Sequence, residues 1–94
     1  MPEKMDCDFE IGEICLYYEE GAQLRCEILH RSLEGKRLYL TLKVVGVIRE
    51  ALPMFSEFNK IGFVFEVWKD AAVKYFPGLW YLKEVTPQNL NSLN

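Results

Sequence analysis

The sequence predicts a mainly β, single-domain protein, a small antiparallel barrel of five to six strands with one short helical or irregular insert. Three observations lead there. The chain has 94 residues, the length of one domain. It is 50% hydrophobic and 14% aromatic, enough to fill a core without disulfide or metal staples. Its apolar residues recur with period two between glycine-bearing turns, as half-buried strands do. No apolar run reaches the roughly 18 residues that crossing a bilayer takes, so no membrane partner is expected.

The elements follow in order. Ile11 to Tyr18 is apolar apart from Gly12 and Glu13 and forms the first strand. Glu19-Glu20-Gly21-Ala22 is a turn in which glycine supplies a positive φ. Gln23 to Ile28 alternates, with Leu24, Cys26 and Ile28 on one face. A second turn at residues 32–36 leads to the longest strand, Arg37 to Ile48, where Leu38, Leu40, Leu42 and Val44 share a face. Gly46 marks a bend or bulge there that would let one strand serve two sheets. Arg49 to Lys60 contains Pro53 and no alternation, and reads as a loop with one helical turn. Ile61 to Lys69 returns to period two, with Phe63, Phe65 and Val67 together. Residues 70–76 read either as a short capped helix ended by Pro77-Gly78 or as a hairpin arm. Leu79 to Val85 is the last strand, so the domain covers residues 1–85 and a polar tail 86–94.

A shift of fifty positions superposes Ile11-Gly12 on Ile61-Gly62, Tyr18 on Trp68, Glu20 on Asp70 and Ala22 on Ala72, with Phe9 and Phe58 ahead of the two Ile-Gly pairs. The simplest account is that both segments enter a strand the same way, by an apolar anchor, a glycine and then the strand; an internal duplication is the alternative.

Cys7, Cys15, Cys26 and His30 have the residue types of a zinc site, but their spacing lacks the short Cys pair that presents two ligands from one turn. Hairpin register bears on the same residues. Pairing Cys15 with Cys26 puts Ile14, Leu16 and Tyr18 beside Gln23, Arg25 and Glu27. A three-residue loop instead pairs Ile14 with Ile28, Leu16 with Cys26 and Tyr18 with Leu24, and burying those six residues together favours it. Cys26 then points inward and Cys15 outward. His30, on the parity of Ile28, is expected inside as a hydrogen-bonded core or rim residue. No metal, cofactor or catalytic constellation is expected: no nucleophile–base pairing or phosphate-binding glycine loop can be assembled.

Charge is unevenly spread. Residues 1–22 hold seven acids and one base, while residues 23–94 hold ten bases and seven acids. Mixed-sign neighbours normally neutralise each other across strands. The acidic start, without an apolar stretch behind a basic one, predicts no export signal. The odd cysteine count suits free thiols in the cytoplasm.

Aromatic residues remain. In Tyr17-Tyr18 and Trp80-Tyr81 one ring should be buried and the other exposed. Phe9-x-Ile11-Gly12-Glu13-x-Cys15-x-Tyr17, a Glu-Gly turn, Leu24-x-Cys26-x-Ile28 and a second Glu-Gly turn resemble the opening of an SH3-like small barrel of the Tudor or KOW type, over about the first 45 residues. The resemblance implies that Tyr17 or Tyr18 lies at the ligand-binding barrel end. After Val45 the chain departs from that pattern. The expected function is a non-catalytic module that binds a protein or peptide partner through Tyr17, Tyr39, Trp68 and Trp80 with neighbouring acids, as a monomer or weak homodimer. The alternative is a nucleic-acid-binding barrel using Arg25, Arg31, Lys36, Arg37, Lys43 and Arg49 together with Tyr39.

Overall fold

In the computed structural model, residues 6–71 and 79–86 are described. Five strands, β1 (Ile14–Glu19), β2 (Ala22–Glu34), β3 (Arg37–Arg49), β4 (Val64–Asp70) and β5 (Tyr81–Glu84), form one antiparallel sheet in the order β4-β3-β2-β1-β5. Five strands and a mainly β architecture agree with the sequence. The expected barrel does not close, because among the described residues no ladder joins β4 to β5; nor does β3 divide between two sheets. Most of the expected helix at 70–76 lies outside the described residues.

The long central hairpin explains the layout. β2 and β3 have 13 residues each. β1 covers the Ala22–Glu27 half of β2, and β4 covers the Arg37–Lys43 half of β3. Leu24, Cys26, Ile28, Leu38, Leu40, Leu42 and Val44 are all buried on the shared inner face, as their alternation predicted. Phe9, Cys15, Tyr17, Phe65, Trp80 and Leu82 complete that core.

The two Ile-Gly pairs are the same device. Gly12 (φ 90°) and Gly62 (φ 93°) each occupy the third position of a turn. Glu13 N–H donates to the Glu10 carbonyl at 3.1 Å and Phe63 N–H to the Lys60 carbonyl at 3.1 Å. Each glycine then donates its own N–H to the central hairpin, Gly12 to Ile28 and Gly62 to Val44, both at 2.7 Å. A type II turn needs positive φ at this position, which is why glycine recurs there. Phe9 is fully buried and Phe58 packs against the core, so both serve as the expected apolar anchors.

Two sequence expectations are overturned, each by one residue of register. The β1–β2 hairpin has a two-residue turn, with Glu20 at φ 52° and Gly21 at φ 83°, both left-handed as a type I′ turn requires. Glu19 therefore faces Ala22, and Cys15 faces Cys26 directly. Turn chemistry outranks the count of apolar residues here. Cys15 and Tyr17 face the core instead of Ile14 and Tyr18, and Leu16 is buried on the opposite face between Arg25 and Lys83. Both thiols are free.

His30 is the second case. Ile28 pairs with Leu42 but His30 pairs with Thr41, so Leu29 is an extra residue, a β-bulge. Parity reverses there: His30 is exposed, while Arg31 and Leu33 take the inner parity opposite Leu40 and Leu38. The Arg31 guanidinium donates to the Cys7 carbonyl and ties down the 3-10 turn Asp6–Asp8. Near Gly46 the ladder also shifts, as expected, with Arg25 opposite Gly46 but Cys26 opposite Val44.

The open seam is bridged by side chains. Lys69 of β4 is buried and donates to the Trp80 carbonyl at 2.9 Å, just before β5, and its Nζ lies 4.3 Å from the centre of the Trp80 ring. Asp6 completes the bridge. Its Oδ2 pairs with Lys69, and its Oδ1 accepts the Leu82 N–H at 2.8 Å. The Trp80 indole N–H donates back to the Trp68 carbonyl at 3.3 Å.

Candidate functional site

The segment after β3 builds a pocket. Pro53 opens a 3-10 segment, Pro53–Asn59, kinked at Phe55 (φ −118°, ψ 31°). Asn59 clamps its base: Oδ1 accepts the Ala51 N–H at 2.7 Å and Nδ2 donates to the Ala51 carbonyl at 3.4 Å. Fixed at both ends, the segment lays Phe58 against Phe63 and Phe65, with ring centres 5.3 and 4.8 Å apart. Phe55 packs edge-on to Phe58 at 6.3 Å. Between this segment and the β1–β2 turn lies a pocket of about 110 Å³. Tyr17, Ala22, Leu24, Ala51, Leu52, Phe55 and Phe58 make its apolar lining, and Glu19 and Glu20 are its acids.

Tyr17 connects pocket and core. Its ring meets Phe65 edge-on at 5.2 Å and stacks near Trp80 at 6.1 Å. Its hydroxyl donates to the Glu19 carboxylate. Burial, reinforced by that hydrogen bond, pushes its ionisation well above the usual phenol range, so it stays a protonated donor already engaged. Glu19 shares the inner parity of Cys15 and Tyr17, while Glu20 sits exposed at the turn tip. The nearest base in register, Arg49, pairs with Gln23, opposite Tyr18, and so sits on the outer parity.

The four expected binding aromatics split into two groups. Tyr17 and Trp80 are buried in the core, with Tyr17 reaching the pocket. Tyr39 and Trp68 pair across β3 and β4 on the outer face, ring centres 6.4 Å apart, and Arg37 covers the Trp68 ring at 4.8 Å. On the same face Tyr18 and Tyr81 stack at 4.8 Å, which gives each adjacent aromatic pair its expected one-in, one-out arrangement. No family model, curated protein or solved structure matches this chain.

Four of the six bases share the outer parity, Arg49 with the three named next, and two do not. Arg25, Arg37 and Lys43 have outer-face parity, Lys36 is in the β2–β3 turn, and Arg49 ends β3. Arg31 is turned to the inner face by the Leu29 bulge, and Lys43 lies 4.0 Å from Glu27. Leu52, Phe55 and Phe58 were missed as site residues. Their segment carries no period, and its one sequence signal is four large apolar side chains, Leu52, Met54, Phe55 and Phe58, in an irregular stretch.

Proposed function

We propose that the chain is a non-catalytic interaction module that binds a segment of a protein partner. The pocket carries this reading. Its rim joins Leu52, which is 49% exposed, and the neighbouring Met54 is 78% exposed, so apolar surface continues outward from an apolar hole. Its size suits one side chain: an engineered cavity of about 150 Å³ takes a benzene ring, whereas drug-sized ligands occupy about 300–1,000 Å³. Its polar side chains are two carboxylates and one engaged tyrosine, a set without a nucleophile–base pair. The SH3-like reading of the Tudor or KOW type belongs to the same proposal. It is supported by a meander whose last strand lies beside the first, and by the place of Tyr17 at the pocket.

The test uses two exposed positions. Leu52→Glu should abolish partner capture with the fold intact, while Trp68→Ala should leave capture unchanged. The reverse pattern would move binding to the outer face, and capture unaffected by either change would refute the reading.

A second reading rests on the outer-face cluster of Tyr39, Trp68 and Arg37, because exposed rings beside bases suit stacked nucleotides. It predicts oligonucleotide binding that falls steeply with salt and is lost on charge reversal at Arg37 and Lys43. No binding at low salt would remove it.

A further inference from the structure

We infer that the partner segment presents one large apolar residue flanked by lysine or arginine, the apolar side chain filling the pocket and the base meeting Glu19 and Glu20. The inference rests on the interaction-module reading and specifies its ligand. Leu24, Phe58, Ala22 and the Tyr17 ring line the pocket, and the one hydroxyl at hand already donates to Glu19. A group that needs a donor, such as a carboxylate or phosphate, finds no free side-chain donor among these lining residues. An ammonium driven into this apolar lining would lose its water without gaining full replacement. An apolar side chain gives up no hydrogen bonds there, so it takes the interior. The carboxylates then set what lies next to it. Glu20 is exposed at a turn tip and Glu19 is half-buried, with its Tyr17 hydrogen bond using only part of its accepting capacity.

Charge also argues against a second copy as occupant. Glu19 and Glu20 both line the pocket, so two such surfaces face to face would crowd their carboxylates together, whereas a basic segment relieves them.

Four blocked pentapeptides test this by nuclear magnetic resonance titration of the full chain: Gly-Lys-Leu-Arg-Gly, Gly-Ser-Leu-Ser-Gly, Gly-Glu-Leu-Glu-Gly and Gly-Lys-Ser-Arg-Gly. The first should move the amides of Glu20, Ala22 and Ala51 at concentrations at least tenfold below the other three. Replacing Glu19 and Glu20 with Gln should shrink its advantage over the serine-flanked peptide to under threefold. Because Glu19 holds Tyr17, Glu20→Gln alone serves as the variant least able to disturb the core, and it should remove part of that advantage. Equal binding of the serine-flanked peptide would overturn the basic requirement while leaving the interaction module standing. Equal binding of Gly-Lys-Ser-Arg-Gly would overturn the apolar anchor. No shift with any peptide, or a concentration-dependent dimer lost in Leu52→Glu, would overturn the inference outright, and partner capture with Leu52→Glu would then judge the broader reading separately.

Discussion

Replacing Asp6 with Asn should destabilise the protein more than replacing Lys69 with Met, although the two residues form one ion pair. The asymmetry comes from burial. The Lys69 side chain is 4% exposed and that of Asp6 is 20% exposed. Asp6→Asn keeps an oxygen for the Leu82 N–H but strands a buried ammonium, left with the Trp80 carbonyl and ring. Breaking a buried pair this way costs about 3–5 kcal/mol, and partial access of water at position 6 puts the value near the lower bound, about 3 kcal/mol. Lys69→Met keeps most of the apolar stem and leaves a carboxylate that water can reach, so about 1–2 kcal/mol is lost. The double variant should be more stable than Asp6→Asn alone. Urea unfolding followed by tryptophan emission measures this; at a slope of ~1.5 kcal/mol per M, Asp6→Asn lowers the midpoint by about 2 M. An Asp6→Asn loss below about 1 kcal/mol, or a larger loss for Lys69→Met, would refute the argument.

The remaining expectations concern thiols, alkali and the two tryptophans. Cys7 is partly exposed while Cys15 and Cys26 are fully buried, so brief treatment with iodoacetamide should label one cysteine in the native protein and three after unfolding; three rapid labels in the native state would contradict the core assignment. Burial, then Glu13 and Asp6, pushes the Cys15 thiol from 9.0 up to about 12, and burial also raises Cys26 and Tyr17. The folded state thus keeps protons that the unfolded chain loses, so stability is full below about pH 8.5 and declines as pH rises toward 12. Unfolding free energies that stay flat from pH 8 to 11 would count against this. Trp68 is 54% exposed and Trp80 4%, so acrylamide should quench the emission of Trp80→Phe strongly and that of Trp68→Phe weakly. Equal quenching would show that the assignment of inner and outer faces is wrong.

Strand faces were legible wherever alternation was long and uninterrupted, as from Leu38 to Val44. Register was not, because it depends on single residues with weak signals. A Glu at positive φ in the first turn shortened the loop by one, and an extra Leu29 turned His30 outward. Burial of Tyr17 was obscured by its equally aromatic neighbour Tyr18. The seam was invisible, since Asp6 and Leu82 meet across 76 positions and nothing local in either announces the other. The pocket likewise arises only where the first turn and the 51–58 segment meet.

The bulge at Leu29 reaches further than its own strand. By reversing parity it sends Arg31 to the inner side, where the guanidinium holds the Cys7 carbonyl. One residue earlier, Asp6 joins Lys69 to the Leu82 amide. The two edges of the sheet are thus linked through a relay that starts at one inserted residue in its middle. A single-residue deletion at position 29 would act like a slipped tooth in a zip: the strand would still pair, but the clasp on the far side would lose its anchor.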